Sequence, residues 1–407
     1  MAVSIITIKT LLPCSSSSER ARGGAKGVMD MRYAKGIFTV LFLGAVLLIP
    51  PRFQLSTNQQ IVQEVDCDAG ETLTAALEAA EPGDTIRVTG TCAETVTITT
   101  DGLTLVGEGG ATIDGGDTGQ DVVTIDGALD LTITGFTVQN GAEGILAIHG
   151  ANFAVSDTIV QNNGSHGIEL NEASAEFTNI TSHQNGRAGL IIARNSVIAL
   201  TDSVLQNNLT GLVVFNNATA RLFGANVMSQ NATQGFTVGL GGVAFSIGST
   251  ISVNDNGSEG VLILQDGNVQ LIGGTLEANN NGTDGINLSQ NSSIILGIAE
   301  FGVPGEAFTL DNAGNGIKAA TGSDVAASQI MPLTGSGNGG AGVQLDDGAS
   351  ATLNGATLED NGTADLDLTF GSRATLDGSS IGRISCDRTA LLRGDTRVNC
   401  PFSGGGG

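Results

Sequence analysis

The chain has 407 residues, of which 60 are glycine, 4% are aromatic and none is tryptophan. This composition argues against a conventional globular core, which needs more aromatic side chains, and favours tight corners and thin layers. Beyond residue 52 there are ten basic and 39 acidic residues, a net charge of −29. So acidic a chain makes nucleic acid and anionic membrane surfaces poor partners.

The first 50 residues have the pattern of a targeting segment. Residues 1–35 are predicted to be an unstructured leader, and Arg32 and Lys35 precede the uncharged stretch 36–49. A basic region followed by a short apolar region is typical of a secretory signal. The stretch is shorter than the ~20 residues of a spanning helix, but no small-residue cleavage site follows it. Residues 36–50 are therefore either a cleaved signal or an uncleaved anchor, and residues 51–65 are predicted to be a linker.

Cysteine usage also indicates export, to the periplasm, the cell surface or the medium. Beyond the leader there are four cysteines in two close pairs, Cys67 with Cys92 and Cys386 with Cys400. An even number of cysteines in an exported chain suggests disulfides, here one at each end. Free buried thiols are the alternative. No metal site is predicted, because no histidine lies near these cysteines in the sequence.

Residues 66–85 are predicted to be an N-terminal cap. Residues 70–84 have a helical pattern, with Leu73, Ala76, Leu77 and Ala80 on one face and Pro82 at the end. Such a helix would cover the open first coil of a solenoid. Short strands are predicted to follow at residues 86–88, 96–98, 103–106, 122–125 and 131–133.

From residue 140 the sequence repeats ten times a skeleton of Asn, three residues, Gly and then an apolar-x-apolar strand. The repeated asparagines are Asn140, Asn163, Asn185, Asn207, Asn231, Asn256, Asn281, Asn312, Asn338 and Asn361. Glycine stands four residues after the first nine, and Asp365 stands at that place in the tenth. The intervals of 22 to 31 residues lie in the range that indicates a solenoid.

This repeat predicts a single-stranded right-handed parallel β-helix of about twelve coils over residues 86–382. The two apolar positions of each strand would face inward, from Ile145 and Ala147 in the first repeat to Leu366 and Leu368 in the last. The asparagines would stack into a hydrogen-bonded ladder, and the glycines would form corners with positive φ. Residues 383–402 are predicted to be a disulfide-closed cap, and residues 403–407 a disordered tail.

Three segments also carry a family resemblance: AALEAAEPGDTIRVTGTCAETVTI, then LTLVGEGGATIDG, then the NxxxG-apolar coils. Together they resemble the right-handed β-helix proteins of the pectin lyase-like superfamily, over about residues 66–382. Enzymes of this superfamily use clustered Asp with Arg or Lys, or aspartates with a Gly-His-Gly segment. Asp346 and Asp347 form a carboxylate pair here, but no Gly-His-Gly, Arg-x-Lys or Asp-Pro-His segment is present. No complete catalytic set of the family can therefore be carried over.

Charged side chains are concentrated in three successive coils, which contain all three histidines of the chain. His149, Glu172 and Arg194 share one register, and His166 lies beside Arg187 at the other end of the same strand. We expect these five residues to line one groove in which an imidazole, a carboxylate and a guanidinium could do acid–base work on a sugar. The alternative is a solvated charge ladder at the strand ends.

A second feature is an apolar outward face on the strands that follow the ladder. Its residues are Leu146, Ile148, Ile191, Ala193, Val213, Phe215, Leu262 and Leu264. Polar residues are expected at such positions, so the face is either covered by residues 51–65 or is a partner surface. Val213 and Phe215 are the candidate binding residues.

The leading functional hypothesis is an exported, non-catalytic β-helix protein that is surface-associated or binds carbohydrate. The alternative is a polysaccharide-active enzyme (lyase, glycoside hydrolase or epimerase). The expected partner is a polysaccharide or a cell-surface component. No cofactor or metal is predicted, and the oligomeric state stays open.

Overall fold

The computed structural model describes residues 60–394, which form short strands with little helix. The helices are α1 (Leu73–Ala79) and two 3-10 turns, Cys67–Ala69 and Ala299–Phe301. The strands are β1 (Val62–Asp66), β2 (Thr85–Thr89), β3 (Thr91–Cys92), β4 (Val96–Ile98), β5 (Thr104–Gly107), β6 (Thr112–Asp114), β7 (Val123–Asp126), β8 (Leu131–Thr134), β9 (Thr137–Gln139), β10 (Ile145–Ile148), β11 (Asn152–Ser156), β12 (Ile159–Gln161), β13 (Ile168–Asn171), β14 (Ser174–Thr178), β15 (Thr181–His183), β16 (Ala188–Ala193), β17 (Val197–Thr201), β18 (Val204–Gln206), β19 (Thr210–Val214), β20 (Thr219–Phe223), β21 (Ala225–Val227), β22 (Phe236–Gly239), β23 (Val243–Ile247), β24 (Thr250–Ser252), β25 (Val261–Leu264), β26 (Asn268–Ile272), β27 (Gly274–Glu277), β28 (Ile286–Leu288), β29 (Ser293–Leu296), β30 (Gly305–Leu310), β31 (Ile317–Ala319), β32 (Asp324–Ala327), β33 (Leu333–Ser336), β34 (Val343–Leu345), β35 (Ser350–Asn354), β36 (Thr357–Glu359), β37 (Leu366–Leu368), β38 (Arg373–Asp377), β39 (Ser380–Ile381), β40 (Ile384–Cys386) and β41 (Leu391–Gly394).

Successive strands belong to three parallel sheets that wind around one core. Sheet A has 15 strands (β1, β2, β5, β8 and then every third strand to β41), sheet B has 13 (every third strand from β3 to β39) and sheet C has 13 (every third strand from β4 to β40). A typical coil runs through β12 in sheet B, β13 in sheet C and β14 in sheet A. The register is in phase with the repeat, since Ile168 pairs with Leu190 in the next coil. This is an all-β parallel solenoid.

The solenoid has about fourteen turns, not the predicted twelve or so. The difference arises at both ends of the predicted range, residues 86–382. Strand β1 pairs with β2 before it, and β40 and β41 continue the sheets beyond it.

The core is a continuous column of the apolar residues predicted to face inward. All twenty of these positions, from Ile145 and Ala147 to Leu366 and Leu368, are buried. Helix α1 buries Leu73, Ala76 and Leu77, and it packs against β4 at the open end of the column. Period-two patterning therefore predicted the inside of the coil correctly, because side chains alternate between the faces of a strand.

Two predicted boundaries are wrong. Residues 62–65 belong to β1, which pairs with β2 as the first strand of sheet A, so they are not a linker and do not cover the apolar face of sheet C. At the other end, β40 and β41 continue sheets C and A beyond residue 382. Strand pairing therefore continues beyond the coils that contain the Asn-Gly skeleton.

The asparagine ladder has nine asparagines. They are Asn163, Asn185, Asn208, Asn231, Asn256, Asn281, Asn312, Asn338 and Asn361, all buried. In a typical step, the backbone amide and Nδ2 of Asn163 both donate to Oδ1 of Asn185, at 3.1 and 3.0 Å. Each amide thereby satisfies a backbone donor in the turn below it, a group that would otherwise be buried without a partner.

Asn140 and Asn207 are not members of the ladder, contrary to the sequence prediction. The place of Asn140 is taken by Gly141, whose amide donates to Asn163 Oδ1, and the place of Asn207 by Asn208. Asn140 and Asn207 have left-handed φ values of 60° and 55°, one residue before the ladder position. In these two coils the ladder position lies three residues before the repeated glycine and not four. A fixed spacing of four residues therefore selects the asparagine that precedes the ladder position.

The repeated glycines have a different role from the predicted corner with positive φ. A Cβ built on Gly167 would lie 2.7 Å from Asn185 Nδ2 and 2.3 Å from Ser182 Oγ. Gly167 is absent from the residues with positive φ, as are the equivalent glycines. The glycine is needed because the ladder amide packs directly on its Cα.

One predicted disulfide is confirmed, Cys67 to Cys92, which ties the N-terminal cap to β3. The partner expected for the buried Cys386, Cys400, lies outside the described residues, so that pairing stays a prediction. No helix between residues 60 and 394 is long and apolar enough to cross a membrane. The predicted signal or anchor, residues 36–50, and the predicted tail, residues 403–407, lie outside the described part of the chain.

Candidate functional site

The five charged residues expected to line one groove lie at two opposite ends of sheet C strands. His149, Glu172 and Arg194 occupy the turn that leads to sheet A, with φ values of 54° to 56°. His166 and Arg187 lie in the turn that precedes sheet C. Since β13 (Ile168–Asn171) separates the two turns, the residues do not form one site.

At the far turn, His149 pairs with a residue outside the predicted set. Its Nδ1 lies 2.6 Å from Oδ1 of Asp126 in the preceding coil, and its side chain is 68% exposed. Between residues 60 and 394, no hydrogen bond or ion pair joins His149, Glu172 and Arg194 to one another. These three residues stack in sequence register without forming a constellation that could share a proton.

His166 belongs to a cluster that the sequence did not predict. One ligand atom from each of Glu143, His166 and Glu169 lies within 4.8 Å of the other two, and all three residues are half-buried. We call these residues the Glu-His-Glu cluster. Glu143 comes from the turn before β10, His166 from the equivalent turn one coil later, and Glu169 from the outward side of β13.

Hydrogen bonds hold the cluster in place. The backbone amide of His166 donates to Glu143 Oε2 at 2.7 Å, and the Glu143 amide donates to Asp121 Oδ1 at 3.1 Å. Asn171 Nδ2 donates to Glu169 Oε1 at 2.5 Å. The carboxylates are therefore oriented by the chain before any ligand arrives.

The imidazole of His166 has a defined tautomer. The backbone amide of Ala188 donates to His166 Nδ1 at 3.0 Å, so Nδ1 is an acceptor and the neutral ring has its proton on Nε2. Burial lowers the pKa of His166, and the charge of Arg187 lowers it further against the opposing effect of Glu169. His166 is thus a neutral N–H donor beside two carboxyl groups.

Glu143 is shifted in the opposite direction. Burial raises its pKa, and the charges of Glu169 and Asp121 add to that rise, although hydrogen bonds from Ser165 and the His166 amide act against it. A carboxyl group with a raised pKa beside a second carboxyl group is the arrangement of an acid and its partner base. The cluster therefore contains side chains that can donate and accept protons.

The cluster also contains the ligand types that bind cations. Two carboxylates and an imidazole fit a divalent ion by donor type, but the Nε2–H tautomer presents a proton, not a lone pair. Within residues 60–394 the other such group is Cys67, Cys92 and Glu94, whose sulfurs are already joined in the disulfide.

Of the two predicted binding residues, Phe215 contributes surface and Val213 contributes little. Val213 is at an outward position but is only 8% exposed. Phe215 is half-buried and lies beside Gly239 of the next coil.

A separate groove of about 460 Å³ runs over the outward face of sheet A. Its floor is formed by small residues, including Ala154 and Ala199, and its charged groups are Asp130, Glu176 and Arg221. This groove lies on a different sheet from the Glu-His-Glu cluster.

Sequence reasoning missed Glu143 and Glu169. A usable signal was present, since Glu169 is an acidic residue at an outward position otherwise occupied by Leu146 and Ile191. An ionisable residue within an apolar face indicates a site more strongly than histidines spread over several coils.

Comparisons with known proteins agree with this architecture. A family described as "Right handed beta helix region" matches residues 121–276. A mutant of the periplasmic alginate epimerase AlgG has 13% identity and a TM-score of 0.50, with 79% of this chain and 83% of that chain covered. The A-module of the Azotobacter vinelandii mannuronan C-5 epimerase AlgE6 has 14% identity and a TM-score of 0.43, with 80% and 94% covered. Pectate lyase Pel9A has 14% identity and a TM-score of 0.37, with 85% and 81% covered.

At these identities the likeness concerns the fold. No relative was found among curated protein sequences. The family match over residues 121–276, the three parallel sheets and the ladder agree, and the chain has the right-handed parallel β-helix fold.

Proposed function

We propose that the protein is an extracytoplasmic, polysaccharide-active enzyme whose acid–base groups are the Glu-His-Glu cluster. The observation that carries this proposal is that Glu143, His166 and Glu169 meet within 4.8 Å at the edge of a long flat sheet. The Cys67–Cys92 disulfide is typical of an oxidising compartment and supports the location.

The cluster suits cleavage of a glycosidic bond. Glu143, whose raised pKa favours the protonated form, would give its proton to the leaving oxygen, while the Glu169 carboxylate faces the anomeric carbon. Oxygens within 4.8 Å suit the close carboxyl pair of a retaining mechanism better than the spacing of roughly 6.5 to 9.5 Å of an inverting one. Glu169 would bond to the anomeric carbon, and water would then release the sugar, with Glu143 recovering a proton.

His166 has a positioning role in this scheme. Its Nε2–H can donate to Glu169 or to a sugar oxygen, and the Ala188 amide holds the ring in that orientation. Protonation of Nδ1 would break the bond to Ala188, so we expect His166 to remain neutral through the reaction.

A second function is favoured by a different observation. The groove of about 460 Å³ on sheet A, with Glu176 and Arg221, supports a non-catalytic protein that binds a polysaccharide or a cell-surface component. In that case binding would depend on sheet A, and substitutions in the Glu-His-Glu cluster would have no effect on it.

The test is an activity screen on neutral β-linked polysaccharides together with alginate and pectate, the polymers suggested by the structural neighbours. Reducing ends, unsaturated products and C5 proton exchange would be measured separately. We expect new reducing ends, and we expect Glu143→Gln and Glu169→Gln to lower kcat by at least about 100-fold.

The matched control is Glu172→Gln, at the other end of the same sheet C strand, which should keep wild-type kcat. Detection of unsaturated products would show that the reaction is elimination and not hydrolysis. Binding without any product, undisturbed by Glu143→Gln, would favour the non-catalytic function.

A further inference from the structure

The outward face of sheet C has an aromatic side chain with unusually small neighbours. In the register of β16, β19 and β22, Ile192 pairs with Val214 and Val214 pairs with Val238. Phe215, one residue later, is therefore flanked by Ala193 in one coil and by Gly239 in the next.

Gly239 makes room for the ring. A Cβ at this position would lie 2.9 Å from Phe215 Cε1 and 3.1 Å from Leu264 Cγ. The ring therefore extends over the Gly239 backbone. Since Gly239 has negative φ, it is this close approach and not a turn that calls for glycine.

We propose that Phe215 and Gly239 form a stacking platform for a sugar ring of an uncharged polysaccharide that crosses the outward face of sheet C obliquely to the helix axis. The class of ligand in this inference rests on the proposed function. Phe215 lies two coils from Glu169, about 10 Å along the axis at about 4.8 Å per coil, and two residues further along the strand, about 7 Å at about 3.3 Å per residue. One coil is close to the length that one pyranose unit adds to an extended glycan, so the platform would hold a unit near the second from the cleaved bond.

The surface between the two places is continuous and apolar. Ile191 and Ala193 occupy the outward positions of the coil that lies between Glu169 and Phe215. An extended glycan can cover such a face with the C–H groups of its rings, and aromatic rings stack on those groups without hydrogen-bond readout.

The charge of this face disfavours the binding of uronate polymers, which are anionic. From β10 to β28 the outward positions of sheet C contain no lysine or arginine, and they include the carboxylate of Glu169. The chain beyond residue 52 has a net charge of −29. A neutral β-1,4-linked chain, with equatorial bonds and apolar ring faces, fits this surface best.

The test uses full-length protein with Glu143→Gln, so that ligand binds without turnover. Cello-oligosaccharides of two to six units would be titrated calorimetrically into this variant, alone and with Phe215→Ala or Gly239→Ala. We expect either second change to weaken binding of the hexasaccharide about tenfold and to leave that of the disaccharide unchanged. The matched control is Phe223→Ala, because Phe223 is an exposed phenylalanine on the outward face of sheet A.

The outcomes separate this inference from the proposed function. If Phe215→Ala binds every chain length as tightly as the Glu143→Gln parent, while the wild-type protein turns over its substrate, the platform alone is overturned. Length-dependent binding that requires Phe215, without turnover by the wild type, would overturn the catalytic proposal alone. Absence of cello-oligosaccharide binding, or a dimer that dissociates on Phe215→Ala in sedimentation, would overturn the platform by assigning the face to another ligand or to a second copy.

Discussion

At the scale of single residues, the candidate site depends on two groups whose pKa values move toward each other. Burial raises the pKa of Glu143 and lowers that of His166, so both shifts favour the neutral forms. The cost of charging either group in the folded state should therefore appear as a pH dependence of stability.

We predict opposite trends for two variants between pH 4.5 and 6.5, the ordinary pKa values of the two groups. Native Glu143 keeps a proton that the unfolded chain loses, so its contribution to the free energy of unfolding falls as the pH rises above 4.5. Native His166 stays unprotonated where the unfolded chain binds a proton. Its contribution to the free energy of unfolding therefore falls as the pH drops below 6.5. Relative to wild type, Glu143→Gln should gain stability with rising pH and His166→Asn should lose it.

Urea unfolding followed by circular dichroism at pH 4.5, 5.5 and 6.5 measures both trends. Phe223→Ala, which removes no titratable group, should differ from wild type by the same amount at each pH. Parallel trends in the two cluster variants would contradict the assigned shifts.

At the scale of the structural element, the ladder turn is built from three adjacent requirements. The residue before the ladder position has left-handed φ, the asparagine satisfies backbone donors, and the following glycine lets the amide pack on its Cα. At the C-terminal end, Asp365 takes the next place, because the Asn361 amide and Nδ2 both donate to Asp365 Oδ1. Asn361 is therefore bonded on both sides and should not be a weaker position than the interior asparagines.

We predict that the neighbouring residues Asn207 and Asn208 respond very differently to alanine. Asn208→Ala should lower the free energy of unfolding by roughly 1 to 3 kcal/mol, because Oδ1 of Asn208 accepts two donors from Asn185 and Nδ2 donates to Ser182 O. Asn207→Ala removes an exposed side chain and should cost less, through the left-handed φ alone. Chemical unfolding of both variants is the measurement, and equal losses would contradict the assignment of Asn208 to the ladder.

At the scale of the whole molecule, stability is a sum over coils, each of which contacts only its neighbours. The Cys67–Cys92 disulfide closes one end of this stack, where helix α1 covers the core. Local loss of a cap should therefore open the first coils without unfolding the distant ones.

We predict that Cys67→Ser with Cys92→Ser destabilises the N-terminal coils by about 3 kcal/mol in the chain-entropy account of a disulfide. Hydrogen exchange should speed up in peptides that cover β2 to β5 and stay unchanged in those that cover β34 to β38. Uniform loss of protection along the chain would show instead that the solenoid unfolds as one unit.

The sequence by itself determined the fold, because a parallel solenoid repeats its environment every coil and so repeats its residues. Period-two alternation identified the inward positions, and the Asn-Gly skeleton identified most ladder positions. Coil length varies, however, so a fixed spacing misplaced Asn140 and Asn207. Only the tertiary structure brought Glu143, His166 and Glu169 together, because Glu143 belongs to the coil before that of His166 and Glu169 and is distant from both in the sequence. It likewise separated His149, Glu172 and Arg194 from His166 and Arg187, because the two groups lie in turns at opposite ends of the sheet C strands.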